Sequence, residues 1–205
     1  MHQFQFKKSL IKHLPTTATI LACLALFSAC RQSDSTFKGT LLDEAIPAAD
    51  FTLTDQDNQA FTLSAKNDKI ILLFFGYAYC PDVCPLTLST WKQVQDTMQE
   101  EHDKIEFVFI TVDPERDTVE KLREHLSIYS ETFYGLTGTA EELLPVYQDY
   151  GVYREKVRVS ESAAGYLMNH TARIFLIEPG NVWRLSYTYD TPAIDIVHDL
   201  RRLLK

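Results

Sequence analysis

Two apolar runs, Ile70-Ile-Leu-Leu-Phe-Phe75 and Ile105-Glu-Phe-Val-Phe-Ile-Thr-Val112, are too nearly unbroken to have a wet face. Each must be a strand covered on both sides. Between them Leu88, Trp91, Val94 and Met98 recur near helical spacing, which predicts a helix over residues 86–102 with Pro85 at its first position. Buried strands feeding helices on both faces make an α/β fold, a central sheet flanked by helices.

The remaining segments extend that sheet. Phe51-Thr-Leu-Thr and Phe61-Thr-Leu-Ser alternate in period two around Asp55-Gln-Asp-Asn58, which reads as an N-terminal β-hairpin. Asp117-Thr-Val-Glu120 is an N-cap pattern, with Asp117 as the cap, for a helix over 118–129. Residues 133–137 read as a short strand, and Thr139-Ala-Glu-Glu142 opens a helix that Pro145 should kink. Strands over 171–177 and 182–189 are joined by the turn Glu178-Pro-Gly-Asn181, and a last helix covers 192–204. The terminal hairpin makes the sheet mixed.

The N-terminus says where such a domain works. Lys7, Lys8, Lys12 and His13 precede an uncharged stretch over 18–29 that is shorter than the roughly 20 apolar residues a membrane span needs. It reads as a secretory signal, and Leu26-Phe-Ser-Ala-Cys30 resembles a bacterial lipobox, although Phe27 stands where an aliphatic residue is usual. The expected organisation is a lipoprotein signal peptide over 1–29, a polar tether over 30–45 with Cys30 lipidated, and one folded domain over 46–205. That places the domain outside the cytoplasm, anchored to a membrane and facing the periplasm or the cell exterior; an uncleaved anchor and soluble export are the alternatives, and in each the domain is exported.

The formal charge is −8, from 20 Lys plus Arg against 28 Asp plus Glu, and it falls to about −11 once the three leader lysines are removed. An acidic chain without basic clusters excludes nucleic acid as a partner and favours cations or basic surfaces.

With the N-terminus set aside, the chain keeps two cysteines, in Gly76-Tyr-Ala-Tyr-Cys80-Pro-Asp-Val-Cys84-Pro85. Four residues apart at the start of a helix, Cys80 and Cys84 lie on one face, able to share a metal or to form a disulfide. A domain of this length does not need a disulfide as scaffold, so the thiols point to function. The element order, with a cysteine pair between the first buried strand and its helix, is that of a thioredoxin-like fold. Two details depart from its oxidoreductases: the spacing is CxxxC where they have CxxC, and Asn169-His170-Thr171 stands where they place a cis-proline.

At these residues the chain resembles the Sco/SenC family of copper-binding, thioredoxin-like proteins that assist assembly of cytochrome c oxidase. The resemblance is carried by the cysteine segment, by Thr111-Val-Asp113-Pro-Glu-Arg-Asp117-Thr118, and by Tyr166-Leu-Met-Asn-His170-Thr with the Ile174-Phe-Leu-Ile strand. It implies that Cys80, Cys84 and His170 are copper ligands. It also implies a metallochaperone for the dinuclear copper centre of the oxidase, working on the copper-bearing subunit and with other copper chaperones or thiol reductases. Asn169 stands where many members have Asp, a change of charge beside the histidine.

The donor chemistry is consistent with this, because two thiolates and an imidazole suit Cu(I) in three-coordination and hold Cu(II) when a fourth donor enters. Zinc accepts the same donors but prefers four in a closed site. The alternative from another class is a thiol:disulfide reductase keeping the oxidase cysteines reduced, with Cys80 and Cys84 as its redox pair. A peroxidase is disfavoured, since Phe75-Gly-Tyr-Ala-Tyr79 replaces the peroxiredoxin pattern. Asp82 is either a supplementary donor or partner contact, or a charge complement to the helix dipole. Asp113 either supports metal transfer or recognition, or is a turn-forming Asp-Pro. Tyr77 and Tyr79 wall the site, Met168 belongs to the core, and His102, His125 and His198 have no convergent donors.

Overall fold

The computed structural model describes residues 36–158 and 165–205. The leader, Cys30 and the tether as far as residue 35 lie outside the described residues. Residues Phe37–Lys205 form one unit. Its ten described strands are β1 (Thr40–Pro47), β2 (Thr52–Thr54), β3 (Ala60–Thr62), β4 (Ile70–Gly76), β5 (Ile105–Thr111), β6 (Tyr134–Leu136), β7 (Arg154–Arg158), β8 (Tyr166–His170), β9 (Arg173–Glu178) and β10 (Val182–Thr188). The helices are α1 (Val83–Thr97), α2 (Val119–Ser127), α3 (Ala140–Asp149) and α4 (Ala193–Leu203).

Six strands form the central sheet in the order β1-β10-β9-β4-β5-β6. The β4, β5 and β6 strands run parallel, and β9, β10 and β1 continue antiparallel, giving the mixed sheet expected. Every residue of β4 is buried. Successive strand residues face opposite ways, so Phe74 and Phe75 mark the two layers. Phe74 meets Trp91 of α1 at 6.2 Å between ring centroids, and Phe75 meets Tyr147 of α3 at the same distance. Both faces of the sheet are therefore covered, and burial of each such side chain contributes about 1.5–3 kcal/mol.

Several elements differ from the sequence expectation. The first helix begins at Val83, so Cys84 and Pro85 are its second and third residues and Leu86 is not its start. Proline is tolerated there because first-turn N–H groups have no partner within the helix. It ends at Thr97, and residues Gln99–Lys104 form a separate 3-10 segment. The cap of α2 is Thr118, whose side chain accepts from the Lys121 N–H, and not Asp117. The α3 helix carries the full capping box between Thr139 and Glu142, and it runs on through Pro145 to Asp149. Residues 40–45, expected as tether, open strand β1, which pairs with β10 from Thr40↔Ser186 to Pro47↔Val182.

The turns follow their sequence signals. Asp55 Oδ1 accepts from the N–H groups of Asp57 and Gln59 while Asn58 adopts φ 59°, closing the β2–β3 hairpin. Between β9 and β10, Gly180 and Asn181 take φ 84° and 57°, a left-handed pair suited to Gly and Asn. The unexpected element is a separate antiparallel ribbon of β7 and β8, running from Arg154↔His170 to Arg158↔Tyr166. It delivers His170.

Candidate metal centre

The end of β4 sets the site. Gly76 closes the strand, and a Cβ there would stand 2.8 Å from Cys84 Sγ and 2.7 Å from Phe109 Cε2. Only glycine lets the helix bring its sulfur so close to the strand backbone. Cys84 is fully buried, whereas Cys80, in the loop between β4 and α1, is half-buried, and both thiols are free. The Cys80 N–H donates to the Tyr77 carbonyl at 3.2 Å, and Asp117 accepts the Ala78 N–H at 3.1 Å.

His170, the last residue of β8, brings its Nε2 to 3.6 Å from Cys84 Sγ. Its Nδ1 lies 3.1 Å from the Thr171 carbonyl, which can only accept. Nδ1 is therefore the donor in that bond, and Nε2 is the nitrogen turned toward the sulfurs, where it can donate to a thiolate or ligate a metal once deprotonated. The ring stands edge-on to Phe74 at 6.0 Å and to Tyr77 at 5.7 Å. The three donor atoms lie within 4.8 Å of one another, and they are the one such group of three among the described residues. A metal bonded to sulfur at about 2.3 Å and to nitrogen at about 2.0 Å asks for donors roughly 4 Å apart. The residues fit a metal with small closure.

The two thiols are electrostatically unequal. The Cys84 thiol beside it holds Cys80 down to about 4, with help from His170 and the N–H groups of Asp82 and Cys84 and against burial. Burial pushes Cys84 well up, and the neighbouring Cys80 charge pushes it further. Ionisation is therefore favoured at Cys80 and opposed at Cys84. Burial, with added charge from the cysteines, also pushes the Tyr77 hydroxyl up to about 12.

A cleft of about 280 Å³ opens over the centre, lined by Tyr77, Cys80, Asp82, Met168, His170 and Ala172 among others. Tyr77 walls it, while Tyr79 is exposed beside it. Asp82 is the exposed N-cap of α1 and makes no side-chain cap bond. Met168 is buried, as expected. A larger cleft of about 640 Å³, among Gln95, His102, Glu106 and Thr132, holds no comparable donor group. His125 is largely buried against Phe109, and His198 pairs with Asp199.

Asp113 is not at the donor cluster. It is buried two residues beyond β5, accepting from Tyr166 Oη at 2.9 Å and from Arg116 Nε. Asp117, fully buried and pushed up to about 6 mainly by burial, accepts from the Thr111 hydroxyl at 2.6 Å and supports the Ala78 backbone. Neither role was visible in the sequence, because both depend on which backbone passes overhead.

The fold and the donors together define a thioredoxin-like domain whose cysteine pair is completed by an imidazole. The SCO1/SenC family model matches residues 40–205. A SCO2-like protein of Rickettsia conorii is 28% identical over 152 residues, 74% of each chain. The solved structure of Bradyrhizobium japonicum ScoI with copper bound is 35% identical with TM-score 0.71, covering 77% of this chain and 99% of that one. The apo Sco1 of Thermus thermophilus is 33% identical with TM-score 0.74, covering 83% and 99%. The chain belongs to the SCO1/SenC family.

Proposed function

We propose that this protein is a copper metallochaperone that receives copper on Cys80, Cys84 and His170 and passes it to the copper-bearing subunit of a cytochrome c oxidase. The observation that carries the reading is the His170 Nε2 converging with two sulfurs, one buried and one at a cleft. Soft thiolates favour Cu(I), and the imidazole makes Cu(II) acceptable as well. Three donors leave the metal accessible to an incoming ligand from a partner, which a closed four-ligand site would not. Copper bound to the similar ScoI of Bradyrhizobium japonicum supports the choice of metal.

The inequality of the thiols favours a second reading, reduction of the oxidase cysteines. Cys80 thiolate would attack a target disulfide, forming a mixed disulfide and releasing one target thiolate. Cys84, on losing its proton, would attack Cys80 Sγ and release the second. The target gains two electrons and the protein ends as a Cys80–Cys84 disulfide. His170→Ala separates the two readings, since it deletes a metal donor and leaves both thiols. A chaperone variant loses Cu(II) binding and fails to restore oxidase activity in a null strain. Full restoration by folded His170→Ala, with failure of Cys80→Ser, would reject copper delivery in favour of reduction.

Export and lipid anchoring through Cys30 belong to the same proposal. Two or more acyl chains give stable attachment where one is marginal. Cys30→Ala should release the protein from membranes, and an unmodified N-terminus upstream of Cys30 in membrane-bound material, read by intact mass, would sink the anchor.

A further inference from the structure

We infer that Asp113, Arg116 and Tyr166 form a latch, anchored on the buried Asp113 carboxylate, that positions His170 against the thiols. The inference rests on the copper-holding reading above and concerns how the imidazole donor is kept in place. His170 does not belong to the central sheet. It ends a two-stranded ribbon, and such a ribbon is marginally stable alone. Every residue of β7 is exposed and only Met168 of β8 is buried, so apolar packing gives the ribbon little purchase.

Polar contacts hold it instead, and they converge on the segment just after β5. Arg154 Nε donates to the Val112 carbonyl at 3.0 Å, and Lys156 Nζ reaches Glu115 at 2.7 Å. The Lys156–Glu115 pair is exposed and contributes little. The latch is different in kind. Asp113 is 1% exposed, and its carboxylate accepts from Tyr166 Oη and Arg116 Nε at once. Arg116 Nη1 donates to the Tyr166 carbonyl at 3.1 Å, and its guanidinium lies 3.6 Å from the centre of the Tyr166 ring. One buried acid and one arginine grip both the side chain and the backbone of Tyr166.

Tyr166 and His170 are four residues apart on β8, hence on the same face of the strand. A grip at Tyr166 therefore fixes the pivot on which His170 swings toward Cys84. Cys80 sits in the loop between β4 and α1 and Cys84 on α1, neither is paired into the ribbon, and Cys84 meets it at His170. Loosening the latch should move the imidazole and leave the dithiol where it is. These three are positioning residues.

Tyr166→Phe is the mild probe, because it removes the hydroxyl and keeps the ring beneath Arg116. Asp113→Asn is the second variant. In full-length metal-free protein, Tyr166→Phe should broaden and shift the His170 imidazole ¹⁵N resonances and speed amide exchange at Leu167–His170, with exchange in β4 unchanged. In copper titrations it should lower Cu(II) affinity by about tenfold, the lower end of what loss of the contacts that orient a ligand costs, and leave Cu(I) affinity near that of the dithiol alone. Combined with His170→Ala it should cause no further loss, as two changes acting through one group do not add. Native imidazole resonances and unchanged Cu(II) affinity in both variants would overturn the latch, as would equal losses for Cu(I) and Cu(II) or additivity with His170→Ala. If the wild-type protein binds no copper, the proposed function fails, and the imidazole resonances and exchange rates still decide the latch.

Discussion

Two sulfurs four residues apart need not behave alike, and here the difference comes from depth. Cys84 lies under the strand end with burial opposing its ionisation, while Cys80 sits at the mouth with donors around it. A thiol held down to about 4 is thiolate at every pH above that value and is lost as nucleophile only when the pH falls through it. At pH 6 a free cysteine is almost wholly protonated. Iodoacetamide at pH 6 should therefore label Cys80 and spare Cys84 until the protein unfolds, as read by peptide mass. Its rate is tempered because nucleophilicity falls with pKa. Equal labelling, or labelling of Cys84 first, would contradict the ordering. The same inequality means that metal binding must displace a proton from Cys84, so copper affinity strengthens as pH rises through neutrality.

At the scale of elements, legibility in the sequence tracked the strength of the local signal. The strands β4 and β5 are legible because a nearly unbroken apolar run has one physical solution, and the capping box at Thr139 and Glu142 is legible through a fixed spacing. The ribbon is not. Arg154-Glu-Lys-Val-Arg158 buries nothing, so it carries no hydrophobic period, and the strand expected over 171–177 leaves β8 outside it. For the same reason β1, exposed along nearly its whole length, passed for tether: its place is fixed by hydrogen bonds to β10, which composition does not record. Among the site residues, Cys80, Cys84 and His170 stood out by chemical type. Asp113 is legible as a candidate, but its partners Arg116 and Tyr166 are not, since a residue in a turn looks the same whether solvated or gripping a buried carboxylate. The expectation of Asp117 as a cap failed on one residue of register, because Thr118 takes that position and frees Asp117 to turn inward beneath the Ala78 backbone.

The described domain is closed by a contact between its first residues and its last helix. Asp199, fully buried on α4, accepts from the N–H of Lys38 at 2.9 Å and of Gly39 at 2.9 Å, from Tyr187 Oη at 3.1 Å and from His198 Nδ1 at 2.8 Å. Arg202 adds a cation–π contact, 5.1 Å from the centre of the Phe37 ring. A carboxylate this deep is tolerated because donors surround it. Those donors also fix where the chain joins the sheet, just before β1. Hydrogen bonds to a charged group are each worth about 1.5–3 kcal/mol, and their loss leaves partly buried N–H groups without that acceptor. Asp199→Ala should accordingly cost about 2–4 kcal/mol in denaturant unfolding. The damage should be local in the native state: amide exchange should rise first in β1, where the edge strand loses its anchor, while β4 and the Cys80–Cys84–His170 cluster keep their protection and Cu(I) binding. If exchange in β1 stays at the wild-type rate, or rises only together with β4, Asp199 is a general core residue and β1 is held by its pairing with β10 alone.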